Sequence, residues 1–240
     1  MRRLLAIATL ILSVTFAGAP LITPPFAGFD GAQLPIPQDS PPIEPAGYAF
    51  GIWGLIYLWL LVSAVFGLRK REDDPAWEAP RAWLVPSLLL GTPWLWVAGQ
   101  SAIWATVMIV AMAATAVMAL KAAPWFDRWT LQAPLGIYAG WLTAASFVSL
   151  GSTLAGYGIL FDATGWAYVG IVIALVTAIA IQDWLEKAPE YGLTVTWALI
   201  AVIVQNGSDK LALSIIAAAG AFVLTAMAIR IALRPAPLDA

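Results

Sequence analysis

The sequence predicts an all-α integral membrane protein that crosses the bilayer eight times, or seven times if its first segment is removed. Three observations carry this prediction. Of 240 residues, 61% are hydrophobic and 11% charged, against about 25% charged in an ordinary soluble domain. The apolar residues fall into eight blocks, at 4–18, 48–68, 83–98, 103–120, 132–150, 166–184, 193–204 and 211–229. With the N-terminus inside, 11 of the 12 Lys and Arg residues fall in the termini and loops of one side, and only Lys210 falls opposite. Such a bias marks the cytoplasmic face and places both termini there.

The same inventory excludes several function classes. Twelve basic against 14 acidic residues leave no basic face to hold a nucleic acid. With no cysteine and no histidine, the chain has no thiol nucleophile, disulfide, His- or Cys-ligated haem, zinc site or His-based triad.

Taken in order, the first segment, MRRLLAIATLILSVTFAGAP, has the basic start, apolar middle and small residues of a signal peptide. Proline directly after Ala19 is a poor cleavage context, which argues for retention. The loop at 19–46 has no Lys or Arg and has prolines at 20, 24, 25, 35, 37, 41, 42 and 45, so it runs extended rather than helical. It is either a solvated connector or a lid whose Phe26, Phe29 and Leu34 cover something apolar. The second span has no charge between Glu44 and Arg69, and its 21 residues from Tyr48 to Leu68 match the thickness of a bilayer core. The third and fourth blocks form one run at 83–120, roughly 57 Å if helical throughout and too long for one crossing. AGQS at 98–101 is the small, polar interruption where a tight hairpin is expected. The seventh block is short, and YGLTVTWALIAVIVQN spans only with its polar ends among headgroups. GSTLAGYG at 151–158 lacks the Lys-Ser or Lys-Thr of a phosphate loop and is expected to be a flexible outer loop.

Aromatic residues concentrate in the outer halves of spans two to four. Phe50, Trp53 and Tyr57 fall at i, i+3 and i+7 on one stripe, flanked by Gly47, Gly51 and Gly54. Tyr48 precedes them, Trp94 and Trp96 follow Pro93 in the third span, Trp104 opens the fourth, and Tyr138 and Trp141 stand at i, i+3 in the fifth. Such a cluster is either an interfacial belt with packing or a pocket for a flat, mostly apolar ligand. No ionisable residue sits at mid-depth; Asp183 lies at a span end, as do Gln100, Gln132, Gln182, Gln205 and Asn206. A proton relay or ion path is therefore not expected.

PAGYAFGIWGLIY at 45–57 resembles the second-helix signature of the TspO/MBR family, the tryptophan-rich sensory proteins related to the translocator protein or peripheral benzodiazepine receptor. APLGIYAGWLTAAS at 133–146 is similar to the family's Pro-Tyr-x-x-Trp segment through Tyr138, Trp141 and Ala145. The chain departs from the pattern at Ser149 and at Gly91–Thr92, where the family has Asn, and carries no sterol-type Lys or Arg after Tyr138. The resemblance implies a five-helix bundle over 1–152, with its proline-rich outer loop at 19–46, followed by three further transmembrane helices in 153–240. It also implies a cavity under the first loop that binds a porphyrin or other tetrapyrrole, no required cofactor and a homodimer; an enzyme is not the expectation, light-dependent degradation of a bound porphyrin being the one activity proposed for members. The residues assigned to that ligand are Tyr48, Phe50, Trp53, Tyr57, Trp94, Trp96, Tyr138 and Trp141. The function expected is a membrane receptor or sensor in the bacterial inner membrane. The alternatives are a transporter of a neutral or weakly charged solute and a structural membrane subunit; the halves on either side of residue 152 are too unequal for an inverted repeat.

Overall fold

A computed structural model describes residues 1–24, 26, 28–30 and 33–234. Among them eight α-helices form one bundle: α1 (Arg2–Gly18), α2 (Ile52–Lys70), α3 (Glu78–Ala98), α4 (Ala102–Ala122), α5 (Ala133–Gly156), α6 (Ala163–Leu185), α7 (Pro189–Asn206) and α8 (Leu211–Ala232). Pro25, Ala27, Gly31 and Ala32 of the proline-rich loop and the last six residues lie outside the described set. Six helices are long and apolar enough to cross a membrane; α3 and α7 are not among them. Arg81, Pro86 and Pro93 dilute α3, and Glu190, Gln205 and Asn206 dilute α7.

Successive helices run up and down. The hairpin expected at 98–101 is present: α3 stops at Ala98, and Ser101 caps α4 by accepting the Trp104 N–H on its Oγ at 3.4 Å. α3 packs on α4, α4 on α5, α5 on α7 and α7 on α8, while α1 lies against α2 and α3. α5 is the central helix, with every residue from Ala133 to Thr143 buried. Gly136 and Gly140, one turn apart, open its face to α7: a Cβ on Gly140 would stand 2.5 Å from the Tyr191 carbonyl oxygen. Close backbone approach through small residues is how apolar helices gain dispersion contacts where lipid offers no hydrophobic drive.

The segment 151–158 corrects one expectation. It is not a flexible loop, because α5 continues through it to Gly156. The glycines there serve contact rather than mobility: a Cβ on Gly151 would meet Ile43, and one on Gly156 would meet Leu34, each at 2.7 Å.

At the opposite end of the bundle, charged side chains tie helix termini together. Asp127, in the left-handed region at φ 55°, accepts from the Arg71 Nε at 2.7 Å and the Trp77 Nε1 at 3.1 Å. Arg128 pairs with Glu190 at 2.8 Å and Arg2 with Glu78 at 2.8 Å. Lys187, buried between α6 and α7, donates to the Lys121 oxygen at 2.8 Å and to the Ala123 oxygen, satisfying carbonyls at the end of α4. Burial first and the neighbouring Lys121 second lower its pKa from 10.5 to about 8. Between those pH values the unfolded chain holds a proton that the folded protein has released, so stability should rise with pH across that window. Thermal unfolding in detergent from pH 7.5 to 10.5 should record that rise, and Lys187→Met should flatten it.

Candidate functional site

The proline-rich loop lies across the end of the bundle and is fastened to it by backbone and side chain. The Ile36 N–H donates to the Gly156 oxygen at 2.8 Å and the Ala46 N–H to the Ala201 oxygen at 3.0 Å. Gln33 donates to the Ala98 oxygen at 3.1 Å, and Asn206 to the Pro42 oxygen at 2.9 Å. Leu34 and Ile43 are buried. Ile43 is wedged between α5 and α6: a Cβ on Gly151 or Gly170 would come within 2.7 or 2.5 Å of its Cδ1.

Beneath the loop lie two chambers, of about 80 and 230 Å³. Phe26, Phe50, Trp53, Trp94 and Ile109 belong to the walls of both. The smaller is completed by Phe29 and Glu44 from the loop, by the α5 face from Trp141 to Ser152, by Gly170, Ile171, Ala174 and Leu175 of α6, and by Val195, Ala198, Leu199 and Val202 of α7. The larger is completed by Phe16 of α1, by Tyr57, Leu95 and Met112, and by Pro20 and Pro24 of the loop.

The aromatic rings hold one another mostly edge to face. Phe50 and Trp53 approach Trp141 at 5.8 and 6.2 Å, each at about a right angle, and Phe26 meets Trp94 at 5.1 Å. Trp53 and Tyr57 stack, with centroids 5.3 Å apart and planes 18° from parallel. Phe16 sets its edge on Tyr57 at 5.1 Å. These are the favoured arrangements of ring quadrupoles, so the rings support one another across the wall. Trp94 is fixed further by its Nε1, which donates to the Ala105 oxygen at 2.9 Å.

Of the eight residues the sequence singles out, Phe50, Trp53, Trp94 and Trp141 meet in the smaller chamber, and Tyr57 joins the larger. The other three stand elsewhere. Tyr48 is half-exposed against Trp197, and Trp96 is 64% exposed on the outer surface of α3. Tyr138 is fully buried behind the wall, sharing a 2.9 Å hydrogen bond with Ser87, whose Oγ also donates to the Met112 oxygen.

Polar groups in the smaller chamber are few. The Trp141 Nε1 and the Ser152 Oγ are buried and have no hydrogen-bond partner among the described residues. Glu44 is the one acid or base among the described residues of that wall. Burial raises its carboxyl from 4.5 to about 7. Gly28, at φ +123°, makes room for it, since a Cβ there would stand 3.1 Å from Oε1. Sequence reasoning missed Glu44, Ile43 and the α6 and α7 walls. The only signal for Glu44 was its position as the last charge before a long neutral run, and the small and aliphatic residues of α6 and α7 carry no chemical mark at all.

The arrangement can enclose, stack on and orient an apolar molecule. Its described wall holds no nucleophile paired with a base. A family model described as TSPO-like protein matches residues 5–230, a span that takes in α6, α7 and most of α8. No curated protein and no solved structure matches the chain.

Proposed function

The chain belongs to the TSPO-like protein family, and from that premise we propose that it is a membrane receptor for a flat, largely apolar small molecule. The ligand, a tetrapyrrole or a smaller polycycle, would occupy the aromatic cavity under the proline-rich loop. One observation carries this reading: Phe50 and Trp53 around the start of α2, Trp94 of α3 and Trp141 of α5 converge on one space. Aromatic walls with a few polar groups are the usual make-up of small-molecule sites, and an indole pair at right angles offers a flat ligand one face and one edge.

In the same reading all eight helices cross the membrane, α3 and α7 presenting Leu89, Trp96, Ile200 and Val204 to lipid. The end rich in Lys and Arg faces the cytoplasm, in a bacterial inner membrane, and the receptor assembles as a homodimer. A macrocycle needs more room than the chambers offer, so its entry requires the Phe26 and Phe29 side chains to be displaced.

A tryptophan-fluorescence titration of the detergent-purified protein tests the reading. Either protoporphyrin IX or neutral acridine should quench saturably at micromolar concentration, and Trp53→Phe with Trp141→Phe should weaken that affinity about tenfold, the loss of roughly 1.4 kcal/mol of stacking and edge contact. Identical, non-saturating curves for both proteins would reduce the aromatics to packing. A proteoliposome flux of the same compounds would then favour the transport reading, and neither result would leave a structural subunit.

A further inference from the structure

Resting on that reading of the cavity, we propose that the site selects a ligand carrying a basic nitrogen, with Glu44 as its counter-charge, and disfavours ligands that present a carboxylate. Glu44 differs from the acids most sheltered by the fold in having no partner. Among the described residues the least exposed acids are committed to the fold: Asp127 takes Arg71 and Trp77, and Glu190 takes Arg128. Glu44 has no hydrogen bond or ion pair from its side chain to any described residue, yet it stands in the wall of an apolar chamber. An unpaired carboxylate in such a place costs folding free energy. Its backbone neighbour is accommodating rather than incidental, because Gly28 adopts a conformation that L side chains rarely take and leaves the carboxylate its space.

The rest of the wall favours the same charge. The faces of Trp53, Trp94 and Trp141 are electron-rich, and a cation near an indole face gains attraction that grows when water is excluded. Among the described residues no Lys or Arg lines either chamber, so a carboxylate entering there would meet Glu44 with none of them to neutralise it. The loop has the same sign: residues 19–46 hold three acids and no base, which favours the approach of cations over anions. A second, neutral anchor is at hand in the Trp141 N–H and the Ser152 hydroxyl, both unpartnered among the described residues and both in this wall. A ligand that also bears a carbonyl or ether oxygen would satisfy them. The class is thus a flat aromatic amine or protonated heterocycle. A tetrapyrrole belongs to it only with its acid side chains esterified or directed out through the mouth.

The test uses three compounds on one three-ring frame: 9-aminoacridine, a cation; acridine, neutral at the working pH; and acridine-9-carboxylate, an anion. Each is titrated against the full-length protein in detergent at pH 8, where Glu44 is mostly ionised, and against Glu44→Gln. In the wild type the amine should bind roughly 10- to 100-fold more tightly than the carboxylate, the usual worth of a charge-assisted contact. Glu44→Gln should bring the amine down to the affinity of acridine and leave acridine within about twofold. Equal affinities of amine and carboxylate in the wild type alone overturn the proposal whether or not the variant folds. So does an amine affinity that Glu44→Gln leaves unchanged; in both cases saturable acridine binding keeps the cavity itself as a ligand site. If none of the three binds saturably, the reading of the cavity fails, and this proposal with it.

Discussion

Gly140→Leu is expected to prevent α5 and α7 from packing, so that the variant is recovered aggregated or unfolds at a much lower temperature than the wild type. The reason lies in which atom the new side chain would strike. A Cβ at this position stands 2.5 Å from the Tyr191 carbonyl oxygen and 3.0 Å from the Thr194 Cβ. The carbonyl is helical backbone, held within α7, so it cannot rotate aside as a flexible side chain would. α7 would have to move outward as a unit, pulling the Tyr191 hydroxyl from its 3.2 Å bond to Thr143 and the Gly192 N–H from its 2.8 Å bond to Gln182. Overpacking costs about 1–3 kcal/mol where side chains can yield; with two buried hydrogen bonds broken as well, a loss above about 4 kcal/mol is expected. The matched control is Gly54→Ala on α2, where nothing lies within 4 Å of the added carbon. It should change stability by no more than about 1 kcal/mol, in the stabilising direction that helix propensity dictates. If Gly140→Leu unfolds like Gly54→Ala in a detergent melt followed by tryptophan fluorescence, the close α5–α7 contact is not what holds the two helices together.

Gly170→Val should unseat the loop and weaken binding of neutral acridine by at least about tenfold. Ile43 fills the slot between α5 and α6, 2% exposed, and the added Cβ would approach its Cδ1 to 2.5 Å. Expelling that side chain withdraws the roof of the smaller chamber, since Glu44 and Pro45 follow directly and both line it. Ile43→Ala acts at the same place by the opposite route, leaving the slot empty at a cost of about 2–4 kcal/mol. Combining the two substitutions separates mechanism from general damage. Valine at 170 partly fills the volume that alanine at 43 vacates, so the double variant should bind acridine better than Gly170→Val alone, a non-additivity expected only of touching residues. Additive losses would mean that Ile43 and Gly170 do not share the slot.

The helices were largely legible because their signal is one-dimensional. An apolar run bounded by charge or by small polar residues needs no tertiary context, which is why the hairpin at 98–101 could be placed from AGQS alone and found there. Glycine is the counter-example. GSTLAGYG suggested flexibility, whereas in the folded chain α5 runs through Gly151 and Gly156, and each receives a side chain of the loop. A missing Cβ permits both motion and contact, and only the neighbour decides between them. Within the site, the aromatic stripe of α2 announced itself by its spacing, and Phe50, Trp53 and Tyr57 all reach a chamber. The same aromatic signal at Tyr48, Trp96 and Tyr138 belongs to residues that stand outside both chambers, because a ring serves lipid contact, core packing and ligand binding equally well.

By itself the sequence determined the membrane class, the apolar blocks that become the eight helices, and the family, through two short aromatic motifs confirmed by a match over residues 5–230. Only the tertiary structure decided which faces of those helices meet. Helices that are apolar all round carry little amphipathic pattern from which to read their rotation. The entry of α6 and α7 into the cavity wall, the seating of Ile43 between two glycines and the placement of one carboxylate among the indoles therefore depended on close packing across distant parts of the chain, where a single missing methyl sets how near two backbones can come.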